Sequence, residues 1–230
     1  MGKQTKLKRG EQGEQLAASI LDDDQSFHRL INNLVLLGEN QVSHQIDHIL
    51  IRENGIFVIE TKNYYGNITG LEDDSFWKKT FFVKGKIKTE TFHNPLKQNQ
   101  SHIRIIKRVI GKDYPLYCFV VFIQNNADGI DLFNVCGLND ILKRIKLITI
   151  NRPLSKEKIE EIYNTLLDNE AYINDEMHLE SISKIKKDRR DYQKELRKAI
   201  EKKICPDCGG TLSIVPGGLR CTKCNKFIKI

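Results

Sequence analysis

Two acids and one lysine sit in a stretch that is otherwise apolar. Asp47 lies in Gln45-Ile-Asp-His-Ile-Leu-Ile51, and Glu60 and Lys62 lie in Phe57-Val-Ile-Glu-Thr-Lys-Asn63. The flanking runs, Gln41 to Glu53 and Ile56 to Asn63, read as two strands joined by Asn54-Gly55, a strong two-residue hairpin signal. Residues two apart on a strand face the same way, so Glu60 and Lys62 share a face. With Asn54-Gly55 as the loop, Glu53 pairs with Ile56, Asp47 falls opposite Lys62, and Glu60 falls opposite Ile49. All three side chains then lie on one face within diagonal reach. A one-residue change of loop length would break this arrangement. One carboxylate satisfies Lys62 as a salt bridge, and the other is surplus. A divalent cation shared through hard oxygen ligands removes the surplus. A structural ion-pair network is the competing reading.

A second cluster lies near the C-terminus. Cys205-Pro-Asp-Cys208 and Cys221-Thr-Lys-Cys224 are two Cys-x-x-Cys pairs with twelve residues between them. That arm is long enough for a hairpin that closes a tetrahedral site of four thiolates, the pattern of a C4 zinc ribbon. Gly209-Gly210 suits a tight knuckle, and Gly217-Gly218 sits where the hairpin must reverse. Four protein thiolates leave no open position for water, so the zinc would be structural. A module this small has almost no core and needs the metal to fold. Two disulfides are the alternative, disfavoured in a reducing compartment. Cys118 and Cys136 lie in apolar contexts and read as small buried hydrophobes.

The elements that must position these groups follow from periodicity. Residues 10 to 24 read as a helix and Leu30 to Leu37 as a strand. Residues 66 to 92 read as a short meander holding Trp77, the one tryptophan. Pro95 starts a helix whose Leu96, Ile103, Ile106, Val109 and Ile110 share a face. Leu116 to Ile123 is a continuous apolar run, suited to a strand covered on both sides. A short helix near Leu138 to Ile145 follows, and Ser155 caps a helix to about Leu167. Asp175 to Lys203 is a long polar helix candidate with a thin apolar stripe, read as a connector, with a weak coiled-coil seam as its rival.

The chain carries a net charge of +7, placed unevenly. Residues 180–230 hold 14 Lys and Arg against 6 Asp and Glu, whereas residues 1–179 hold 23 against 24. A basic tail on a near-neutral body is the footprint of nucleic-acid binding, and a solvated lysine-rich helix is the bland alternative. The uncharged run from Tyr114 to Ala127 is too short to span a bilayer, and the basic N-terminus lacks a signal peptide's apolar segment. The expectation is a cytoplasmic protein with no membrane partner. No Gly-rich phosphate loop and no Gly-x-Ser-x-Gly elbow is present, which leaves an NTPase or serine hydrolase without support. His48 should point away from Asp47. His44 and His102 read as cleft-lining or structural. Tyr64, Tyr65 and Trp77 read as core or hairpin aromatics before base-stacking ones.

Asp followed by Glu-x-Lys on the next strand resembles the PD-(D/E)XK nuclease core. The fuller string through Asn54-Gly-Ile-Phe-Val-Ile-Glu-Thr-Lys-Asn-Tyr-Tyr-Gly-Asn-Ile68 is similar, more narrowly, to the nuclease-related domain (NERD). Gly10-Glu-Gln-Gly-Glu14 resembles that family's opening motif, and Asn94-Pro-Leu-Lys-Gln98-Asn-Gln-Ser-His102 its later helix. The resemblance covers roughly residues 8 to 125. Ile46 stands where the superfamily name has proline.

The resemblance implies a restriction-endonuclease-like α/β domain over residues 1–153, a mixed sheet flanked by helices. A basic helical connector over 154–203 and the zinc ribbon over 204–230 would follow. It implies that Asp47, Glu60 and the Thr61 carbonyl bind Mg²⁺ or Mn²⁺. Lys62 would orient or deprotonate the attacking water and offset charge on the phosphate. Glu14 would hold the metal or its water, and Gln98 would contact the site or the phosphate. The implied activity is Mg²⁺-dependent hydrolysis of phosphodiesters, most simply in DNA. One site per chain cutting both strands of a duplex would call for a homodimer. The rivals are a non-catalytic nucleic-acid-binding protein on the same scaffold and a protein-interaction adaptor.

Overall fold

The computed structural model describes residues 3–38, 42–171, 198, 200–205, 208–225 and 227–229. The chain divides into two units, Met1–Tyr172 and Ile173–Ile230. The first holds helices α1 (Lys3–Asp22), α2 (Pro95–Ile110), α3 (Ile141–Leu147) and α4 (Lys156–Asp168), with strands β1 (His28–Leu37), β2 (Ser43–Arg52), β3 (Gly55–Lys62), β4 (Asn67–Thr69), β5 (Phe76–Val83), β6 (Lys86–His93), β7 (Leu116–Phe122) and β8 (Val135–Gly137). Its main sheet runs β1-β2-β3-β7-β8. The first two pairings are antiparallel and the last two parallel, so the sheet is mixed, as expected. Among the described residues no helix is long and apolar enough to cross a membrane.

Strand alternation decides what each face carries. On β3, Ile56 and Val58 turn to one layer, where they join Ile49 and Ile51 of β2, Ile105 and Ile106 of α2, and Ile159, Ile162 and Leu166 of α4. Phe57 and Ile59 turn to the other, against Ala17 and Leu21 of α1 and Ile141 and Ile145 of α3. A strand apolar on both faces must be covered on both, so β3 is central and buried almost throughout. Continuing the alternation, Glu60, Lys62 and Asp47 belong to the layer of α2.

The hairpin register differs from the expected one by two residues. Arg52 pairs with Gly55 and His48 with Ile59, so the turn is Glu53-Asn54. A type I′ Asn-Gly loop needs positive φ at both central residues. Only Gly55 has it, at 133°. Its missing Cβ admits the Tyr117 ring and the Pro115 carbonyl, which a Cβ would meet at 2.7 and 3.0 Å. The Asn54 amide is meanwhile drawn away, donating to the Ile145 and Ile148 carbonyls at the end of α3. A slip of two residues preserves every side chain's face. Extending the observed ladder by one pair sets Asp47 opposite Glu60 instead of Lys62.

The body also reaches further than residue 153. Ser155 caps α4 by accepting the Lys158 N–H at 3.2 Å. Ile159, Ile162 and Leu166 then cover the sheet, and the Ala171 N–H donates to the Val35 carbonyl at 2.8 Å. These are core contacts, so α4 belongs to the first unit and not to a connector. Residues 172–197, most of the expected connector, lie outside the described residues.

β4, β5 and β6 form a separate antiparallel sheet. Its inner end is anchored by Trp77, fully buried, whose indole N–H donates to the Leu71 carbonyl at 2.8 Å. The core role expected of this tryptophan is the one it has. The second unit contains a three-stranded sheet, β9 (Leu212–Val215), β10 (Gly218–Cys221) and β11 (Phe227–Lys229), reversing at Gly217 with φ 81°. Leu212, Leu219 and Ile228 are its buried apolar side chains.

Candidate active site

The site begins where β2 and β3 part. Lys62 accepts the Ile123 N–H on its carbonyl, facing β7. Alternation therefore turns the Thr61 N–H and C=O toward β2. The ladder pairs end at His48–Ile59, and the Asp47 carboxylate takes the next donor instead. Its Oδ2 accepts the Thr61 N–H at 2.8 Å and the Thr61 hydroxyl at 3.1 Å. Asp47 is thus fixed by the backbone of the strand that carries Glu60 and Lys62. The Thr61 carbonyl faces the same opening.

Glu60 is 2% exposed, and its Oε1 is held by the Lys62 ammonium and, at 2.8 Å, by the Gln98 amide. Its Oε2 is buried with no hydrogen-bond partner. Facing it at 3.8 Å is His102 Nδ1, equally buried and equally unpartnered. Gln98 and His102 are one helical turn apart on α2, which lays both over Glu60. Asn99, between them, donates to the Val58 and Phe119 carbonyls at 2.7 and 2.9 Å and ties α2 to β3 and β7. Sequence reasoning missed Asn99 and undervalued His102. The four-residue spacing from Gln98 was the available signal for the histidine.

Glu14 comes from the opposite layer. Gly13 lets α1 lie close to the strand ends, since a Cβ there would meet Asn63 at 3.0 Å and Ile123 at 3.1 Å. The Asn63 amide locks the approach by donating to the Arg9 carbonyl at 2.8 Å. Burial and then the Asp47 charge push the Glu14 carboxyl upward. The structure thus brings Glu14, Asp47, Thr61, Glu60, Lys62 and Gln98 to one place.

The electrostatics are those of an acid cluster short of positive charge. Burial pushes the Glu60 carboxyl up to about 7, with Asp47 adding to the rise and Lys62 opposing it. Burial works to lower the Lys62 ammonium, but Glu60, Tyr64 and Asp47 carry it above the ordinary lysine value. Below about pH 7 the most buried acid of the cluster therefore holds a proton while the lysine stays charged. Burial also keeps His102 neutral, down to about 4. An orphaned carboxylate oxygen, a second carboxylate and an outward carbonyl are hard oxygen donors, and they fit Mg²⁺ or Mn²⁺. His48 is on the other face, buried against Asn32 at 2.7 Å.

The four cysteines of the second unit come together as their spacing requires. Their Sγ atoms lie within 4.8 Å of one another, with Cys205–Cys224 at 3.7 Å and Cys208–Cys221 at 3.4 Å. Thiolates ~2.3 Å from one tetrahedral ion lie ~3.8 Å apart, whereas a disulfide needs ~2.05 Å. The Cys224 and Lys223 N–H groups point at Cys221 Sγ and pull that thiol down to about 6. A Cβ on Gly210 would meet Cys221 Sγ at 3.0 Å, so glycine is what leaves room for the sulfurs. These four could hold a metal ion such as zinc. Cys118 and Cys136 belong to the first unit, where burial pushes both thiols up to about 12.

Comparison with known proteins points the same way. The family profile described as nuclease-related domain matches residues 9–123, half the chain. An uncharacterized protein of Bacillus anthracis is 32% identical over 166 residues, covering 69% of this chain and 76% of that protein. No solved structure matches the chain.

The Glu60 shift has a sign that can be measured. Between its unfolded value of about 4.5 and its folded value of about 7, Glu60 is protonated only in the folded chain. Without added metal, Glu60 by itself makes stability fall as pH rises through this window, while the buried His48 and His102, both held down to about 4, make it rise up to about 6.5. The Glu60 slope is therefore read as the difference between the wild type and a Glu60 variant. Glu60→Gln should remove most of that slope and, at pH 8, stabilise the protein by up to about 3 kcal/mol. Denaturant unfolding at pH 5 and pH 8 checks this. A Glu60→Gln variant whose stability relative to the wild type is no greater at pH 8 than at pH 5 would show that Glu60 folds ionised.

Proposed function

The chain belongs to the nuclease-related domain family, and on that premise we propose that its first unit is a divalent-metal-dependent nuclease acting on DNA. The observation that supports this most is the orphaned Oε2 of Glu60, buried beside a second carboxylate. A structural salt bridge would have left one acid and one lysine, both satisfied.

Asp47, Glu60 and the Thr61 carbonyl would hold the ion, with Glu14 closing the site from α1. Bound there, Mg²⁺ supplies positive charge to the scissile phosphate and acidifies a water. Lys62, held charged by its acidic neighbours, is suited to bind and neutralise a phosphate oxygen; an ammonium above the ordinary lysine value is a poor base at neutral pH. Gln98 holds the Glu60 carboxylate and, at 3.4 Å, faces the Lys62 ammonium, so it orients both. Asp47 is kept in place by the Thr61 N–H and hydroxyl.

The four-cysteine cluster is proposed to bind one structural zinc, and the basic last quarter of the chain to add non-specific affinity for nucleic acid. Elemental analysis should return about one zinc per chain, lost when Cys205 and Cys221 become Ser. Metal-free thiols in natively purified protein would remove the zinc from the account.

Incubating the protein with plasmid, linear duplex and single-stranded DNA under Mg²⁺ or Mn²⁺, with EDTA as the blank, tests the activity. Cleavage should require the ion. Asp47→Ala, Glu60→Ala and Lys62→Ala should each lower it at least ~10²-fold, the scale of one positioned charge-stabilising group. A wild-type chain inert on every substrate, or variants that cut as it does, would overturn the proposal.

A further inference from the structure

The β5–β6 hairpin exposes a surface that neither the core nor the candidate site uses. Beyond the buried Trp77 and its partner Phe92 the ladder continues from Lys78–Thr91 to Val83–Lys86. Six residues at ~3.3 Å each make an arm of ~20 Å. At its far end Phe82 and Ile87 face each other across the ladder and are 74% and 66% exposed, while Val83, also exposed, alternates to the opposite face. Burying side chains of this kind is worth ~1.5–3 kcal/mol each, so their exposure is a cost to the free protein. A cross-strand pair of large apolar side chains, both mostly exposed and rimmed by charge, is a candidate interaction surface.

The rim is cationic. Lys78, Lys79, Lys84, Lys86 and Lys88 lie on the hairpin, against one acid, Glu90. Glu90 is engaged by Lys79 at 3.1 Å and Lys88 at 2.6 Å. Lys78, Lys84 and Lys86 are exposed and meet no acidic partner among the described residues. The partner is therefore anionic. The shape narrows it further. Two strands ~4.8 Å apart make a ribbon that enters the ~12 Å major groove of B-form DNA, where apolar side chains can meet thymine methyls. The deep, narrow major groove of A-form RNA does not admit it.

The arm is also joined to the site. β6 ends at His93, and the next residue, Asn94, caps α2 by accepting the Leu96 N–H at 2.9 Å. The Asn94 amide donates to the Glu72 and Asp74 carbonyls, each at 2.8 Å, and so fastens the loop before β5 as well. One turn further along α2 stands Gln98, bonded to Glu60. The base of the arm and the helix over the site thus share one buried anchor.

We propose that the β5–β6 hairpin is an arm that grips duplex DNA, with Lys84 and Lys86 on the phosphates and Phe82 and Ile87 in the major groove. The choice of polyanion rests on the nuclease reading. The test is binding, which needs no cleavage, so the two can fail separately. The full chain carrying Asp47→Asn, without added Mg²⁺, is titrated against a B-form DNA duplex, the matching RNA duplex and vesicles of phosphatidylserine. Lys84→Glu with Lys86→Glu should weaken DNA binding ~10-fold and lessen its salt slope by about two phosphate contacts. Phe82→Ser with Ile87→Ser should weaken it comparably with the slope unchanged. Lys112→Glu with Lys143→Glu, the same charge change on exposed lysines elsewhere in the unit, should leave the affinity within ~2-fold. RNA-duplex binding should not depend on the arm. Arm-dependent DNA binding, together with a wild-type chain that cuts no DNA under Mg²⁺ or Mn²⁺, supports the arm and sinks the nuclease. The proposal is overturned if the arm variants bind DNA as the control does, if RNA binding falls as far as DNA binding, or if the arm is needed for vesicles and not for DNA.

Discussion

The divergence of β2 from β3 at Asp47 governs the rest of the first unit. An antiparallel ladder would have paired the Thr61 N–H with β2 backbone. The Asp47 carboxylate takes that donor, so the strands separate, and a polar opening forms at the end of an apolar sheet. Three acids then gather there. Glu60 follows by alternation along β3, and Glu14 is brought in by the close packing that Gly13 permits. The remaining elements hold this opening in place. α2 is pinned through Asn99 to two strands and presents Gln98 and His102 over Glu60.

This opening is electrostatically unstable without a partner. One ammonium faces three carboxylates, and the most buried of them avoids ionisation by keeping its proton to about 7. Among the buried polar atoms without a partner in the described residues, its Oε2 is the one carboxylate oxygen, and it sits at 2% exposure. The same logic, with softer atoms, organises the second unit. Its sheet buries few apolar side chains, and the sulfurs stand at separations that suit one tetrahedral ion.

Much of this was legible in the chain because the informative signals were local. The period-two pattern of β2 and β3 placed Asp47, Glu60 and Lys62 on one face, and that held although the register was off by two residues. The error came from Asn54-Gly55, which carries the composition of a two-residue loop. Asn54 instead caps the end of α3, a residue some ninety positions away. No local rule contains that contact. The reach of the body past residue 153 was missed for a related reason: Ile159, Ile162 and Leu166 mark an amphipathic helix, but not the surface it covers. The meander of residues 66–92 was read as strands, yet its division into a separate sheet with a protruding end depends on where Trp77 is buried. The approach of His102 to Glu60 needed the crossing of α2 over β3, which only the folded chain shows.

The central claim is that Asp47 and Glu60 are together because a divalent cation belongs between them. Calorimetric titration of Mg²⁺ into the native protein near pH 7 tests it most directly. The account predicts one site per chain, binding heat that varies with the buffer because Glu60 gives up its proton, and loss of both in Asp47→Asn and Glu60→Gln. Mg²⁺ binding that survives both substitutions, or none in the wild type up to millimolar ion, would contradict it.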